Sequence, residues 1–168
     1  MPIFEQYIKS RKVKVVVASL AAISRFDTQK AKHYALELIT HPISRVREKA
    51  IETLGTNVDS LAMERIRGIY ANSNFETKMT ILKLYGNIGG WSVIGDIVLA
   101  LADGNADIQR MGWMLLNKWM AKAPRLFTTP TEMDVNRAIS NYNSLDIEAM
   151  KYPPGKVGLL ENLMFYLK

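Results

Sequence analysis

The chain has 168 residues, of which 48% are hydrophobic, 9% aromatic and 23% charged; this composition supports a buried core and excludes a disordered or collagen-like chain. It contains no cysteine, which excludes a disulfide framework, a cysteine nucleophile and a thiolate metal site. No Asn-x-Ser/Thr sequon occurs, in agreement with an expected cytoplasmic location.

The net charge of +6 is carried by one end of the chain. Residues 1–50 contain ten Lys or Arg against four acids, whereas residues 51–168 contain twelve of each. A basic end of this kind can attract an anionic partner, and the same charges also fit a solvated surface. Within it, the apolar run Val15–Ile23 is far shorter than the roughly 20 residues that a membrane-spanning helix needs.

Apolar residues at helical spacing, separated by capping and turn residues, predict a succession of short helices. Asp27, Ser44, Asp59 and Ser92 are predicted to cap the helices that follow them. The predicted helices are Met1–Ile8, Arg11–Ser24, Thr28–Thr40, Ser44 to a closing Gly55, Asp59 to the turn at 72–74, the next helix to a closing Gly86, Ser92 to Leu101, and Ala106–Ala121.

The pattern changes in the last part of the chain. Leu126–Pro130 is predicted to be a loop, and Thr131–Tyr142 a shorter helix capped by Thr131. Leu145–Met150 is predicted to form one or two further turns before the break at residues 152–155. A last amphipathic helix is predicted from its apolar stripe of Val157, Leu160, Leu163, Met164 and Leu167.

The helices repeat with a period of 31 residues, which aligns the segments Glu5–Ser24, Leu36–Gly55, Arg67–Gly86 and Val98–Asn117. The aligned columns are Ile8/Ile39/Tyr70/Leu101, Val15/Val46/Thr77/Ile108, Ser19/Ala50/Ile81/Gly112, Leu20/Ile51/Leu82/Trp113 and Ile23/Leu54/Tyr85/Leu116. A fixed period of this length predicts stacked helical hairpins, since one unit cannot bury its apolar face alone.

The best-formed repeat contains a run of motif residues, Val46, Arg47, Ala50, Leu54 and Gly55. A 31-residue helical hairpin with this Val-Arg-x-x-Ala-x-x-x-Leu-Gly pattern in its second helix resembles the short HEAT-like repeats of phycobilisome-lyase-like proteins. The resemblance extends over about residues 5–120, and it weakens where Lys78 and Gln109 replace the arginine.

The resemblance implies an all-α fold: a right-handed α-α superhelix, or HEAT-like solenoid, of about four to five helical hairpins. We expect one domain over residues 1–168. Its predicted parts are a first partial repeat (1–24), three repeats (28–55, 59–86 and 90–121) and divergent C-terminal capping helices (131–168).

In such families the second helix of each hairpin lines the concave surface, so the resemblance also implies a partner-binding face. The residues predicted to bind a partner are Arg45, Glu48, Lys49, Glu52, Met79, Lys83, Arg110, Met111 and Met114. Glu76, Thr80 and Asp107 are expected on the same face. Exposed methionines are suited to adaptable contacts with apolar residues of a partner.

No catalytic, cofactor-binding or metal-binding residue is predicted. The only histidines, His33 and His41, do not have the spacing of metal ligands. Residues 90–95 have the glycine spacing of a phosphate loop, but Asp96 stands where that loop needs lysine. Asp103–Asp107 opens like a calcium loop that lacks its later glycine and glutamate.

The predicted function is that of a non-enzymatic scaffold that binds another protein on its concave surface. The alternative is binding of nucleic acid or another polyanion through the basic N-terminal end. A HEAT-like DNA glycosylase, with Trp91, Trp113 or Trp119 at the lesion, is a further form of that alternative, and core packing explains the tryptophans as well. A lyase-like enzyme is the other enzymatic alternative that the resemblance leaves open. Apolar residues at both ends leave open a homodimer, or packing against further repeats of a longer chain.

Overall fold

In the computed structural model of the protein, residues 2–123, 128–146 and 157–167 are described, and all regular elements within them are helical. The predicted all-α class is therefore confirmed for this part of the chain. The helices are α1 (Pro2–Gln6), α2 (Val13–Phe26), α3 (Thr28–Leu38), α4 (Ser44–Leu54), α5 (Ser60–Ala71), α6 (Phe75–Ile88), α7 (Ile94–Leu101), α8 (Ala106–Met120), α9 (Glu132–Asn143) and α10 (Val157–Tyr166).

Side-chain caps define where several helices begin. Asp27 and Asp59, both predicted as caps, each accept a backbone amide of the following helix, at 2.9 and 2.8 Å. Asn105 caps α8 in the same way, and Thr131 begins α9 in a reciprocal capping box with Asp134. Each cap satisfies an amide that the first helical turn leaves unpaired, so these short polar residues determine the start of the helix.

Two predicted caps and one predicted helix end are wrong, and several ends of α1, α2 and α3 differ from the predicted ones by about two residues. Ser44 is the first residue of α4 instead of its cap, and its hydroxyl donates to Glu48 Oε1 at 3.2 Å. Ser92 lies inside a 3-10 turn that precedes α7, and α7 begins without a side-chain cap. Finally, α6 continues through Gly86 and ends before Gly89, because the chain turns at Gly89 with a φ of +63° that favours glycine.

The aligned columns of the 31-residue period lie in the interior. Of their twenty positions nineteen are buried, and Val15 is partly exposed. Burial of a recurring stripe on each helix is what the apolar spacing predicts.

The chain divides into two compact units, Met1–Ile88 and Gly89–Lys168. In the first unit α4 contacts α2, α3 and α6; α2 also contacts α1 and α3, and α5 contacts α6. In the second unit α7 contacts α8 and α9, and α10 contacts α8. The boundary falls between two of the predicted repeats, and the single domain over 1–168 stays a prediction.

Part of the predicted C-terminal region, including residues 126–127 of the predicted loop, residues 147–150 and the break at 152–155, lies outside the described residues. The two helices predicted in the described part of this region are confirmed as α9 and α10. Leu160 and Leu163 of α10, with Leu167 just after it, are buried as their spacing predicts. In the described ranges, no helix is long and apolar enough to cross a membrane.

A carboxylate on α1 connects this short helix to α3. Glu5 accepts hydrogen bonds from Lys30 Nζ at 2.7 Å and from the Tyr34 hydroxyl at 3.1 Å. The hydrogen bond from Lys30 lowers the pKa of Glu5, and the same contact raises the pKa of Lys30. Burial, followed by the bond to Glu5, raises the pKa of Tyr34. The ionised form of Glu5 is therefore the form that holds α1 against α3.

Acidification is expected to release α1 from α3. Folding lowers the pKa of Glu5 below its ordinary value of 4.5, so the stabilisation is complete above that pH and is lost as the pH falls through the folded pKa. Glu5→Gln should abolish this pH dependence and loosen α1 at neutral pH, whereas Glu132→Gln, at an exposed acid on α9, should do neither. NMR chemical shifts of the α1 backbone across this pH range are the measurement, and an α1 that stays helical and docked after Glu5 is protonated contradicts the prediction.

Candidate interaction groove

An open groove between α2 and α4 brings together four of the predicted partner-binding residues. Its volume is about 600 Å³. The wall formed by α4 consists of Arg45, Glu48, Lys49 and Glu52, all of them predicted. The wall and floor formed by α2, which sequence reasoning missed, consist of Lys14, Val17, Ala18 and Ala21.

The two walls are built from equivalent positions of the 31-residue period. Lys14 corresponds to Arg45, and the same offset relates each of the other three lining residues of α2 to one of α4. On each helix these positions are spaced i, i+3, i+4 and i+7, which is one face of an α-helix. Because the buried stripe of each helix faces the core, this second face is left open to a ligand. The α2 half of the groove could therefore have been predicted from the sequence by shifting the predicted residues of α4 by 31 positions.

The carboxylates of the groove already have cationic partners. Glu52 Oε1 lies 2.7 Å from Lys49 Nζ, one turn away on the same helix. Glu48 Oε1 lies 3.9 Å from Lys83 Nζ on α6. Predicted residues Lys49, Glu52, Glu48 and Lys83 are thus brought together as two neutralised pairs on the surface of α4 and α6.

Two cations of the groove have no such partner. Lys14 and Arg45 are exposed, and in the described part of the chain neither forms an ion pair or a side-chain hydrogen bond. Each is the second residue of its helix. Short connections join α2 to α3 and α3 to α4, and each of these helices contacts the next, so we infer that α2 and α4 run in the same direction and that both cations lie at the same end of the groove. Three more exposed cations without an ion pair in the described residues, Lys9, Arg11 and Lys12, precede α2. This end of the groove is therefore strongly positive.

The predicted face continues onto α6 only in part. Met79 is partly exposed and Lys83 is exposed, as an open face requires. Thr80 was expected there too, but it is buried, and its hydroxyl accepts from Arg47 Nε at 3.1 Å and donates to the Glu76 carbonyl at 2.9 Å. That expectation is wrong because the Thr80 hydroxyl is needed to satisfy a buried arginine.

Arg47, the arginine of the repeat motif, is a structural group only 4% exposed. Its Nη1 donates to the backbone carbonyls of His41 and Pro42 at 2.8 and 2.9 Å, and its Nη2 contacts Glu76 Oε2 at 3.1 Å. The planar guanidinium therefore joins the segment before α4 to α6 and holds α4 in place beside the groove. The motif identified the position, but the partners on α6 are distant in sequence and carry no local signal.

In the second unit, the predicted residues of α8 share one exposed face. Arg110 Nη1 lies 2.7 Å from Asp107 Oδ1, an ion pair within one turn. Met111 is partly exposed, and Met114 is 52% exposed.

The tryptophans of the second unit are packing groups. Trp113 and Trp119 are buried, and Trp119 Nε1 donates to the Gly90 carbonyl at 3.1 Å. The Trp91 ring packs edge-on against Trp119 with centroids 4.9 Å apart, and its Nε1 donates to the Thr128 carbonyl at 2.6 Å. Aromatic pairs with satisfied N–H groups stabilise a core, which agrees with the packing interpretation of these residues.

Each of the two histidines contacts a residue close to it in the sequence. His33 Nε2 is 3.3 Å from Glu37 on the next turn of α3, and His41 Nδ1 accepts the Ile43 amide at 3.1 Å. Within the described ranges, no group of three His, Asp or Glu side chains is placed to hold a metal ion.

A comparison with known proteins gives no matching family model and no matching curated protein.

Proposed function

We propose that the protein is a non-enzymatic interaction module that binds a partner protein on the open face of α2, α4 and α6. The observation that carries this proposal is the groove itself: four pairs of positions related by the 31-residue period line its two walls. Such a surface offers both apolar and charged contacts along two neighbouring helices, which is the mode by which helical grooves hold protein segments.

The composition of this face supports a protein partner. Val17, Ala18 and Ala21 provide an apolar floor of small side chains that admits a ligand close to the α2 backbone. Met79 on α6 adds a flexible apolar side chain that adapts to different partner residues. The charged wall of α4 then orients a partner through ion pairs and hydrogen bonds.

The architecture we propose is the HEAT-like solenoid, in which residues 28–55, 59–86 and 90–121 are successive repeats. Burial of the aligned columns supports this architecture, since the same four or five positions of each aligned segment are interior. A cytoplasmic location belongs to the same proposal.

Photocrosslinking from inside the groove tests the proposal. Benzoylphenylalanine placed at Ala18 should give discrete adducts in a lysate of the source cells, and these should resist nuclease, as adducts to a protein partner do. The matched control is the same probe at Leu61, which is 82% exposed on α5 and outside the groove. Adding Ala21→Trp, which fills the floor, should remove the Ala18 adducts. Identical adducts from both positions contradict the proposal.

Polyanion binding is the second candidate, favoured by the exposed cations Lys9, Arg11, Lys12 and Lys14. Phosphate contacts require only positive charge and weaken steeply as salt rises. A salt titration with random duplex DNA tests this candidate, and no measurable affinity at low salt rules it out.

A further inference from the structure

We propose that the groove binds an acidic peptide segment whose carboxylates contact Lys14 and Arg45 and whose small apolar side chains follow along Val17, Ala18 and Ala21. The inference rests on the proposed function and gives the partner its chemistry. It also places the acidic end of the bound segment, because the unpaired cations lie at one end of the groove.

Charge complementarity identifies the acidic end. The two carboxylates of the α4 wall are compensated by Lys49 and Lys83, so the groove does not neutralise its own remaining cations. Lys14 and Arg45 are therefore available to a ligand, and an arginine offers a carboxylate two parallel hydrogen bonds. The nearby cations that precede α2 increase the attraction for a negatively charged segment.

The floor identifies the apolar part of the segment. Lys14 and Ala21 are seven residues apart on α2, which corresponds to a groove length of about 10 Å at roughly 1.5 Å per residue. An extended peptide covers this distance with about three residues. The recognised element is thus short: an acidic residue or pair, next to about three residues with small or medium apolar side chains.

The same wall disfavours a nucleic acid in the groove. Every nucleotide of a nucleic-acid strand carries one phosphate charge, so a strand along the groove would place negative charge along its whole length. Some of these phosphates would have to pass Glu48 and Glu52, where Lys49 and Lys83 are already paired with the carboxylates and leave no free cation for a phosphate. A peptide can confine its negative charge to the Lys14 and Arg45 end, which fits the distribution of charge on both walls.

Peptide selection provides the test. A phage-displayed library of random peptides is panned against the full chain, and the selected peptides are synthesised with fluorescein for anisotropy titrations. We expect the selected sequences to combine acidic with apolar residues. The double variant Lys14→Glu/Arg45→Glu should bind them at least about tenfold more weakly, while Lys122→Glu, at an exposed lysine of the second unit, should leave affinity unchanged. Replacing the acids of a peptide by lysine should restore its binding to the double variant.

Other outcomes separate the two proposals. If the selected peptides contain no acids, bind the chain and fail to bind the Ala18→Trp variant, the acidic-segment inference is overturned. The groove is then kept as an interaction site. Peptides that bind with equal affinity to the chain, to Ala18→Trp and to the double variant would overturn both. If random duplex DNA binds more tightly than any selected peptide, and if the double variant no longer binds it, the ligand of the groove is a polyanion and not an acidic peptide. Circular dichroism of every variant verifies that its helices are intact.

Discussion

Arg47→Met is expected to lower the free energy of unfolding by about 3 kcal/mol. Methionine retains much of the aliphatic length of the side chain but removes the guanidinium that donates to the carbonyls of His41 and Pro42. Those carbonyls lie in the segment that leads into α4, where they lose charge-assisted hydrogen bonds at 2.8 and 2.9 Å. The Thr80 hydroxyl loses the Nε donor in the same substitution.

Two further variants separate this role from the ion pair with Glu76. Arg45→Met changes the exposed arginine two positions earlier on α4 and should alter stability by no more than about 0.5 kcal/mol. Glu76→Gln should cost less than about 1 kcal/mol, because the Glu76 side chain is 64% exposed and water screens its contact with Arg47. Urea unfolding followed by circular dichroism measures all three. Equal losses for Arg47→Met and Glu76→Gln would show that the ion pair, not the carbonyl contacts, supplies the stability.

The interior of the helices could be predicted from the sequence, because burial follows local spacing. The period that aligned Leu20, Ile51 and Leu82 places all three in the core. Caps were predictable where a single short polar side chain decides the helix start, as at Asp59. Gly55 was also correctly predicted to end α4, and its φ of +66° and ψ of −152° lie in a region open to glycine.

The helix boundaries around α7 were not predictable from the same signals. Ser92 has the chemistry of a cap, but tertiary packing buries Val93 and starts the segment as a 3-10 turn. Gly86 resembles a helix end, yet a glycine with helical dihedrals simply continues the helix until the turn at Gly89. In both cases the residue type allowed more than one local conformation, and its letter in the sequence did not decide which one the chain adopts.

Those residues of the candidate site that follow the 31-residue period could be predicted from the sequence. The face of α4 followed from the resemblance, and α2 would have followed from the 31-residue shift. The unpaired state of Lys14 and Arg45 could not be predicted, since it depends on where Lys49 and Lys83 direct their side chains. The burial of Arg47 could not be predicted either, because the residue type does not show whether an arginine lies at the surface or in the interior.

Gly95→Ala and Gly68→Ala, the same substitution on two helices, are expected to change stability in opposite directions. At Gly95 on α7 a new Cβ would lie 2.9 Å from Arg137 Cγ and 3.1 Å from the Ala138 amide nitrogen. Relief of that overlap requires α9 to move away from α7, and Asn141 on α9 already donates to the Gly95 carbonyl at 2.9 Å. Overpacking of this kind costs about 1–3 kcal/mol, which exceeds the gain of about 0.8–1.0 kcal/mol from replacing a helical glycine.

Gly68 provides the matched control, because it is exposed in the middle of α5 and a Cβ added there would have no neighbouring atom within 4 Å. There only the helix propensity changes, so Gly68→Ala should stabilise the chain by about 0.5–1 kcal/mol. Urea unfolding followed by circular dichroism measures both variants, and tryptophan fluorescence reports on the second unit, which contains all three tryptophans. If Gly95→Ala proved as stabilising as Gly68→Ala, α7 and α9 could not be in the close backbone contact described for the second unit, and the packing of its first helix would have to be reassigned.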